Sequence, residues 1–284
     1  MSEPAPLHPA RRLWQLIEPI HAVTYFAPRC LDEMKALGLK GFWMGYFAGR
    51  AAPMGPVGPA LVESTFANFA SKLVHRAIPD AWGRARPDAV LAARSRAAAD
   101  VLREVRPGIE ADAPRITPLL ASAVRAGHLS GRPLFAANQA LPLPDDPVEA
   151  LWQCCTALRE HRGDGHVAVL VAAGLTGLEA HLLAGMEVAM LDVARGWSEA
   201  DVNAAHASLV ERDLMDGGWA LTAAGRALKD RIEVHTDEAA LQPWRDGLTQ
   251  AGFDLVPTLL RPIADAVLDA GLLPFPNPIG LPRR

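Results

Sequence analysis

The chain repeats itself, and this repeat limits the possible folds more than any other feature of its sequence. The tripeptide Leu13-Trp14-Gln15 returns as Leu151-Trp152-Gln153, and segment 36–49, ALGLKGFWMGYFAG, resembles segment 172–185, AAGLTGLEAHLLAG. From position 38 onward, identical residues lie 136 positions apart, as in Gly38–Gly174, Leu39–Leu175, Gly41–Gly177, Ala48–Ala184, Gly49–Gly185, Leu73–Leu209, Val74–Val210, Arg76–Arg212 and Asp80–Asp216. Because one separation holds along this whole stretch, we infer a tandem duplication.

The boundary between the two copies is expected in the proline-rich and acidic segment Leu141–Pro147, whose composition suits an exposed linker. It divides the chain into an N-terminal repeat, 1–142, and a C-terminal repeat, 143–284, each of ordinary domain size. Half of the 284 residues are hydrophobic, alanine is abundant and aromatic residues make up 6%. This composition favours helices that pack closely on one another.

The second half carries the clearest element signals. Ser198 followed by Asp201 is typical of a capping box at a helix start. Residues 216–218, Asp-Gly-Gly, form a predicted turn between two short extended stretches. Thr222 is placed to cap a further helix over about 223–241. Helix, hairpin and helix in this order predict a mainly α fold: a tandem duplication of a winged-helix-like helical domain with small β-hairpin wings.

The region from Ser198 to Asp237 resembles the helix, wing and following helix of MarR-type winged helix-turn-helix proteins. The similarity is most specific in LTAAGRAL, residues 221–228. Over the wider chain, the segments EPIHAVTYF, GRAAPMGPV, RAIPDAW, REHRGDGH and NPIG are similar to a group of actinobacterial helix-turn-helix family proteins. The resemblance implies the fold more than an activity, and it makes a DNA-binding regulator acting as a pseudo-dimer one function to weigh.

The predicted recognition helix lacks the side chains that read DNA. Such a helix needs Arg, Lys, Asn or Gln in its first turns, and those turns offer Glu199, Asp201 and Asn203. The wing, 216–218, has no cation, and the equivalent helix of the first half, about 59–77, has its cations near its C-terminal end. With a net charge of −4, we expect DNA binding to be weak or lost.

The segment EPIHAVTYF holds the first candidate ligand-binding residues. Glu18-Pro19 suits a helix start, and His21 and Tyr25 then lie four residues apart on one helix face. With Phe26 beside them, they could line a pocket. The alternative is a structural contact between the histidine and the tyrosine.

The segment REHRGDGH, in the corresponding zone of the second half, supplies His161, Arg162, Asp164 and His166. The duplication could bring these residues together with His21 across a pseudo-twofold axis, forming a ligand pocket. The histidine spacing does not match a metal-binding helix such as HExxH, and no metal is expected. An exposed turn between two helices is the alternative for Gly-Asp-Gly.

Two further candidates lie in the first half. Arg50 begins a loop rich in glycine and proline, 49–56, where it could clamp a carboxylate or phosphate, or satisfy loop carbonyls. Asn68 lies between Phe66 and Phe69, and a buried amide there would need a partner that a ligand could supply. Neither a phosphate loop nor a dinucleotide-binding glycine pattern is present in the sequence.

These observations lead to a small-molecule-binding protein with its pocket between the two halves, of unknown ligand and cofactor. A transcriptional regulator remains one alternative, and an enzyme with His21 or His166 as acid–base and Tyr25 or Asp164 assisting remains another. Three cysteines give no disulfide framework, and no signal-peptide core or long apolar run occurs. We therefore expect a cytoplasmic protein with no membrane partner, in which a homodimer stays possible.

Overall fold

Helices account for the regular structure of the computed structural model, which describes residues 7–283. Within that range it has fourteen α-helices, two short 3-10 helices and no β-strand. The α-helices are α1 (Pro9–Phe26), α2 (Pro28–Ala36), α3 (Gly41–Ala51), α4 (Pro59–Phe66), α5 (Ser71–Ala77), α6 (Pro87–Val105), α7 (Ile109–Ala126), α8 (Pro133–Gln139), α9 (Pro147–Ala172), α10 (Gly177–Ala184), α11 (Val188–Arg195), α12 (Glu199–Glu211), α13 (Ala223–Gly247) and α14 (Gln250–Asp269). The mainly α prediction is confirmed.

Helix boundaries follow the sequence repeat at several points. Helices α3 and α10 begin at Gly41 and Gly177, and α6 and α13 begin at Pro87 and Ala223, so the starts within each pair are 136 residues apart. The continuous α9 lies where α1 and α2 lie in the first half. Those two helices are separate because Pro28 has no amide hydrogen to continue α1, and it begins α2 instead.

Three clusters of buried apolar side chains form the interior. The central cluster joins both halves: Trp152 of α9 packs there with residues of α1, α6, α7, α13 and α14. A second cluster around Phe47 fills the space among α2–α6, and a third around Leu209 fills the space among α9–α13. Each fully buried large apolar side chain contributes about 1.5–3 kcal/mol, so the core shared by the halves is a major source of stability.

The two predicted helix caps of the second half are confirmed. Ser198 accepts from the amide of Asp201 while the Asp201 carboxylate accepts from the amide of Ser198, which completes the capping box of α12. The Thr222 hydroxyl accepts from the amide of Gly225 at the start of α13. Gly196, with φ of 77°, makes the turn between α11 and α12.

The expected β-hairpin wings are not formed. In the second half, one isolated antiparallel bridge joins Met215 and Leu221. The Asp216 carboxylate accepts from the amides of Gly218 and Ala220, so side-chain bonds replace part of the ladder that a hairpin would need. The corresponding residues of the first half, Asp80–Gly83, form a 3-10 helix.

Four local expectations also need correction. Helix α1 begins at Pro9 and runs through Pro19, so Glu18-Pro19 is not a helix start. The segment 161–166 lies inside α9 and is not a turn. The predicted helix 59–77 is two helices, interrupted at Ala67, whose φ is 52°. The loop expected at 49–56 begins as the last turn of α3 and continues as a 3-10 helix.

The helix-turn-helix parts of the two halves contact each other. The amide of Ala70, just before α5, donates to the carbonyl of Arg195 at 2.9 Å. Gly196 is so close to Leu73 that an added Cβ would lie 3.0 Å from the leucine Cβ. These contacts hold the turn that precedes α12 against Ala70 and Leu73, while Ser71 and Lys72 at the start of α5 remain exposed.

Candidate functional site

A cavity with an empty volume of about 690 Å³, part of it open to solvent, lies between the two halves. Its walls come from α1, α2, α3 and α6 of the first half and from α9 of the second. The lining residues are His21, Thr24, Tyr25, Leu31, Met34, Lys35, Gly41, Phe42, Gly45, Tyr46, Gly49, Arg50, Arg94, Trp152, Thr156 and Glu160. The mixture of aromatic and polar walls is that of a small-molecule site.

Helix α3 leaves room for the cavity because it turns a row of glycines towards it. Gly41, Gly45 and Gly49 line the cavity and are spaced four residues apart, which places them on one helix face. A Cβ added at Gly49 would meet no atom within 4 Å. Side chains of ordinary size at these positions would occupy part of the space, so the spacing of these glycines is a determinant of the cavity.

A buried ion pair links the halves across the cavity. The Arg50 guanidinium donates to both carboxylate oxygens of Glu160 at 3.0 and 2.9 Å, and Arg159 donates to Glu160 at 3.1 Å and to Glu18 at 3.3 Å. Burial alone would raise the pKa of Glu160, but the positive charges of Arg50 and Arg159 hold that pKa far below its usual range. Glu160 is therefore ionised at every physiological pH.

His21 is held in one orientation and is uncharged. Its Nδ1 lies 3.0 Å from the Thr156 hydroxyl and its Nε2 lies 3.0 Å from the Tyr25 hydroxyl, while its ring stacks on Trp152. Burial, with the nearby positive charge of Arg159, lowers the pKa of His21 well below its usual value. The cavity therefore presents a neutral imidazole with fixed donor and acceptor positions, and an un-ionised Tyr25 whose pKa is raised by burial.

Arg94 is a buried cation in the cavity wall. It is 4% exposed, and it donates to the carbonyl of Gly49 at 2.6 Å and to the Asn138 side-chain oxygen at 3.2 Å. Its guanidinium also lies over the ring of Trp152, 5.4 Å from the centroid. Burial lowers the pKa of Arg94 to about 10, so it stays charged at neutral pH. Among residues 7–283, no carboxylate forms an ion pair with it.

The structure brings together His21, Tyr25 and Arg50 of the candidates named from the sequence, since all three line the cavity. Phe26 does not line it; its ring packs beside Tyr25 against the central core. Asn68 lies elsewhere with His166, in a second, smaller cavity next to α10 and α13.

The remaining candidates lie around α9. His161 packs edge-on against Phe135, and burial lowers its pKa to about 3. Arg162 pairs with Asp237 at 3.5 Å. Asp164 accepts from the amide of Phe135 at 2.8 Å, which caps α8, and burial raises its pKa to about 7.

His21, His161, His166 and Asp164 therefore do not converge on one pocket. The reason is helix geometry: α9 is continuous through these positions, so neighbouring residues point in different directions. Within the described range, no three His, Cys, Asp or Glu side chains are close enough together to hold a metal ion.

The sequence reasoning missed Tyr46, Arg94, Trp152, Thr156 and Glu160, all of which line the cavity. The glycine spacing in GFWMGYFAG was a detectable signal for open space beside α3. Trp152 was noticed only as part of the repeat. Arg94 lies in an alanine-rich helix with several arginines, and nothing in that pattern distinguishes it.

The surface that a DNA reader would use is acidic. Helix α12 contains no Lys or Arg, and Glu199 and Asp201 occupy its first turn.

Within residues 7–283, no single helix is long and apolar enough to cross a membrane. Helices α9 and α10 reach the required length and composition only as a pair, and they meet at an angle of 98°.

A helical body with helix-turn-helix units and a cavity between its halves defines the general class of this protein. A family model described as helix-turn-helix family matches residues 10–274, so the chain belongs to that family. No curated protein and no solved structure matches it.

Proposed function

We propose that this member of the helix-turn-helix family is a small-molecule-binding protein whose ligand occupies the cavity between its halves, with DNA binding weak or lost. The observation that carries the proposal is the composition of the cavity. It combines apolar aromatic walls with a small set of oriented polar groups, His21, Tyr25, Arg50, Arg94 and Glu160. Such a combination gives affinity through the apolar walls and selectivity through the polar groups.

The scaffold in this proposal is a tandem duplication of a winged-helix-like, MarR-like unit, with copies 1–142 and 143–284. The matching helix starts 136 residues apart support it. The two copies differ at α3 and α10: Gly45 in the first copy corresponds to His181 in the second. A Cβ added at Gly45 would lie 3.1 Å from the Cβ of Met34, so α3 packs closely on α2 at a position where the second copy carries a large polar side chain.

Filling the cavity tests this function. Gly49→Leu adds a side chain at a position where a Cβ meets nothing within 4 Å, and leucine is a better helix former than glycine. We expect the variant to fold at least as stably as the wild type. Aromatic and alkyl fragments that bind the wild type, detected by ligand-observed NMR, should lose binding by at least about tenfold.

Two variants serve as controls for this experiment. Gly49→Ala removes the helix-destabilising glycine but fills little space, so fragment binding should be retained. Gly83→Leu places the same side chain at an exposed glycine with open surroundings outside the cavity. Fragments that bind Gly49→Leu as tightly as the wild type, or a library in which nothing binds, would contradict the proposed function.

A DNA-binding regulator, acting as a pseudo-dimer or as a homodimer, is the second candidate because the family is a helix-turn-helix family. The acidic first turn of α12 opposes it, since phosphates repel carboxylates. Selection from a pool of randomised duplexes separates the candidates. Enrichment of one sequence, bound tighter than the roughly micromolar level of non-specific binding, would establish the regulator instead.

A further inference from the structure

We infer that the ligand is an organic monoanion, with a carboxylate bound at Arg94 and an apolar body against the aromatic walls of the cavity. This inference rests on the proposed function, because it names the class of ligand for the same cavity. The observation that supports it differs from the one that supports the proposed function: it is the balance of buried charge around the cavity.

Every other charged group that lines the cavity has an opposite charge beside it. Lys35 pairs with Asp32 at the exposed rim. Arg50 pairs with Glu160 inside. Of the cations that line the cavity, Arg94 is the one without a carboxylate partner among the described residues, and His21 contributes no charge at neutral pH. The lining with its partners therefore carries one uncompensated positive charge.

Arg159, just behind the wall, does not change this balance. It shares Glu160 with Arg50 and also reaches Glu18. Three arginines, at positions 50, 94 and 159, thus face two carboxylates, at positions 18 and 160. Arg195 is also buried, lies within electrostatic reach of Arg50 and Arg159, and forms no ion pair within residues 7–283. The buried group therefore has an excess of positive charge, which an anion from outside the chain would reduce.

The environment of Arg94 makes an anion the fitting partner. Its two hydrogen bonds go to neutral oxygens, of Gly49 and Asn138, and its Nε has no hydrogen-bond partner in the part of the chain that the structure describes. A buried charge without a counter-charge is costly, and a bound anion removes most of that cost. A guanidinium holds a carboxylate through paired, charge-assisted bonds.

A single negative charge fits better than two. A dianion such as a phosphate monoester would place a second negative charge near the Glu160 carboxylate, which would repel it. The rest of the ligand is apolar, because the cavity is walled by the rings of Tyr25, Phe42, Tyr46 and Trp152 and by the glycine face of α3. Aromatic rings favour flat or slender apolar bodies.

Matched probes with one body and different charges test this inference. We would measure the binding of 1-naphthoate, 1-naphthamide and 1-naphthylmethylamine, and of octanoate, octanamide and octylamine, to the full chain at pH 7. Ligand-observed NMR up to about 1 mM detects weak binding. We expect each carboxylate to bind at least about tenfold tighter than its amide, and the amines to bind more weakly still.

Substitutions at Arg94 assign the preference to this residue. In Arg94→Met, which replaces the unbranched stem of the arginine and removes the guanidinium, the carboxylate and the amide should bind equally. In Arg94→Lys, which keeps the charge, the carboxylate should remain preferred. Arg96→Met is the matched control, because Arg96 lies two residues away on α6, is exposed and pairs with Glu33; the preference should be unchanged there.

The outcomes separate this inference from the proposed function. The inferred ligand class is wrong, and the proposed small-molecule binding is unaffected, if amides bind the wild type as tightly as carboxylates. The same conclusion follows if Arg94→Lys loses the preference for carboxylates while remaining folded. If the amines bind best, the charge balance has the opposite sign and the inference is likewise overturned. If none of the six probes binds, both the inference and the proposed function fail.

Discussion

The buried carboxylate of Glu160 offers the sharpest test of how the two halves are held together. Glu160→Gln keeps the shape of the side chain and removes its charge. The carboxylate accepts two bonds from Arg50 and two from Arg159, whereas an amide accepts at one oxygen and turns its own NH₂ towards a guanidinium. Arg159 then keeps Glu18 as its carboxylate partner, whereas Arg50 loses its only carboxylate partner among residues 7–283.

The expected cost follows from this geometry. Removing one partner of a buried pair costs about 3–5 kcal/mol, because the other charge is left uncompensated. For a chain of this length, a loss of 1 kcal/mol lowers Tm by about 2–4 °C, so Tm should fall by about 6–20 °C. Urea unfolding followed by far-ultraviolet circular dichroism measures the same loss as a lower midpoint with an unchanged slope.

A control and a double variant complete the test. Glu104→Gln removes a carboxylate that pairs with Arg29 at the surface, and it should leave the unfolding midpoint unchanged within error. Arg50→Gln combined with Glu160→Gln should cost less than the sum of the two single changes, since the residues are directly coupled. A loss below about 1 kcal/mol for Glu160→Gln would refute the reasoning, because it would mean that the pair is solvated.

Two further changes probe the scaffold. Burial raises the pKa of Asp164 to about 7, so ionisation of this carboxyl opposes folding and lowers the free energy of unfolding by up to about 4 kcal/mol as pH rises from about 4 to about 7. Asp164→Asn should remove this contribution, measured as the pH dependence of the urea midpoint. An unchanged pH dependence would mean that other groups cause it. Gly177→Ala should destabilise the chain by about 1–3 kcal/mol, since the new Cβ would lie 2.1 Å from the carbonyl oxygen of Ala67 in the other half. Gly83→Ala, in open surroundings, should show no such loss, and equal Tm values for the two variants would mean that the halves do not pack this closely.

Local signals in the sequence determined the helical part of this protein well. The caps at Ser198 and Thr222 form as expected because a cap depends on residues within one turn of it. The helices of the two halves start at corresponding positions for the same reason, since each start is set by nearby residues. The predicted β-hairpin wing does not form, because two sets of local hydrogen bonds compete there. The Asp216 side chain accepts from the amides of Gly218 and Ala220, which a hairpin would use in its backbone ladder.

The site was only partly readable from the sequence. His21, Tyr25 and Arg50 were found because each stands out in its own segment. The row Gly41, Gly45 and Gly49 was visible as a pattern, but its meaning depends on what faces α3. Nothing local shows that this face meets α9 and α6 rather than solvent.

Tertiary structure alone decided which polar groups meet. Helix α9 runs without interruption through Glu160 and His161, so a rotation of about 100° per residue sends Glu160 towards Arg50 and His161 towards Phe135. The sequence left two alternatives for this segment, a shared pocket and an exposed turn, and the continuous helix agrees with neither. Arg94 shows the same limit: its lack of a counter-charge depends on which carboxylates other helices bring near it, and neighbours along α6 do not contain that information.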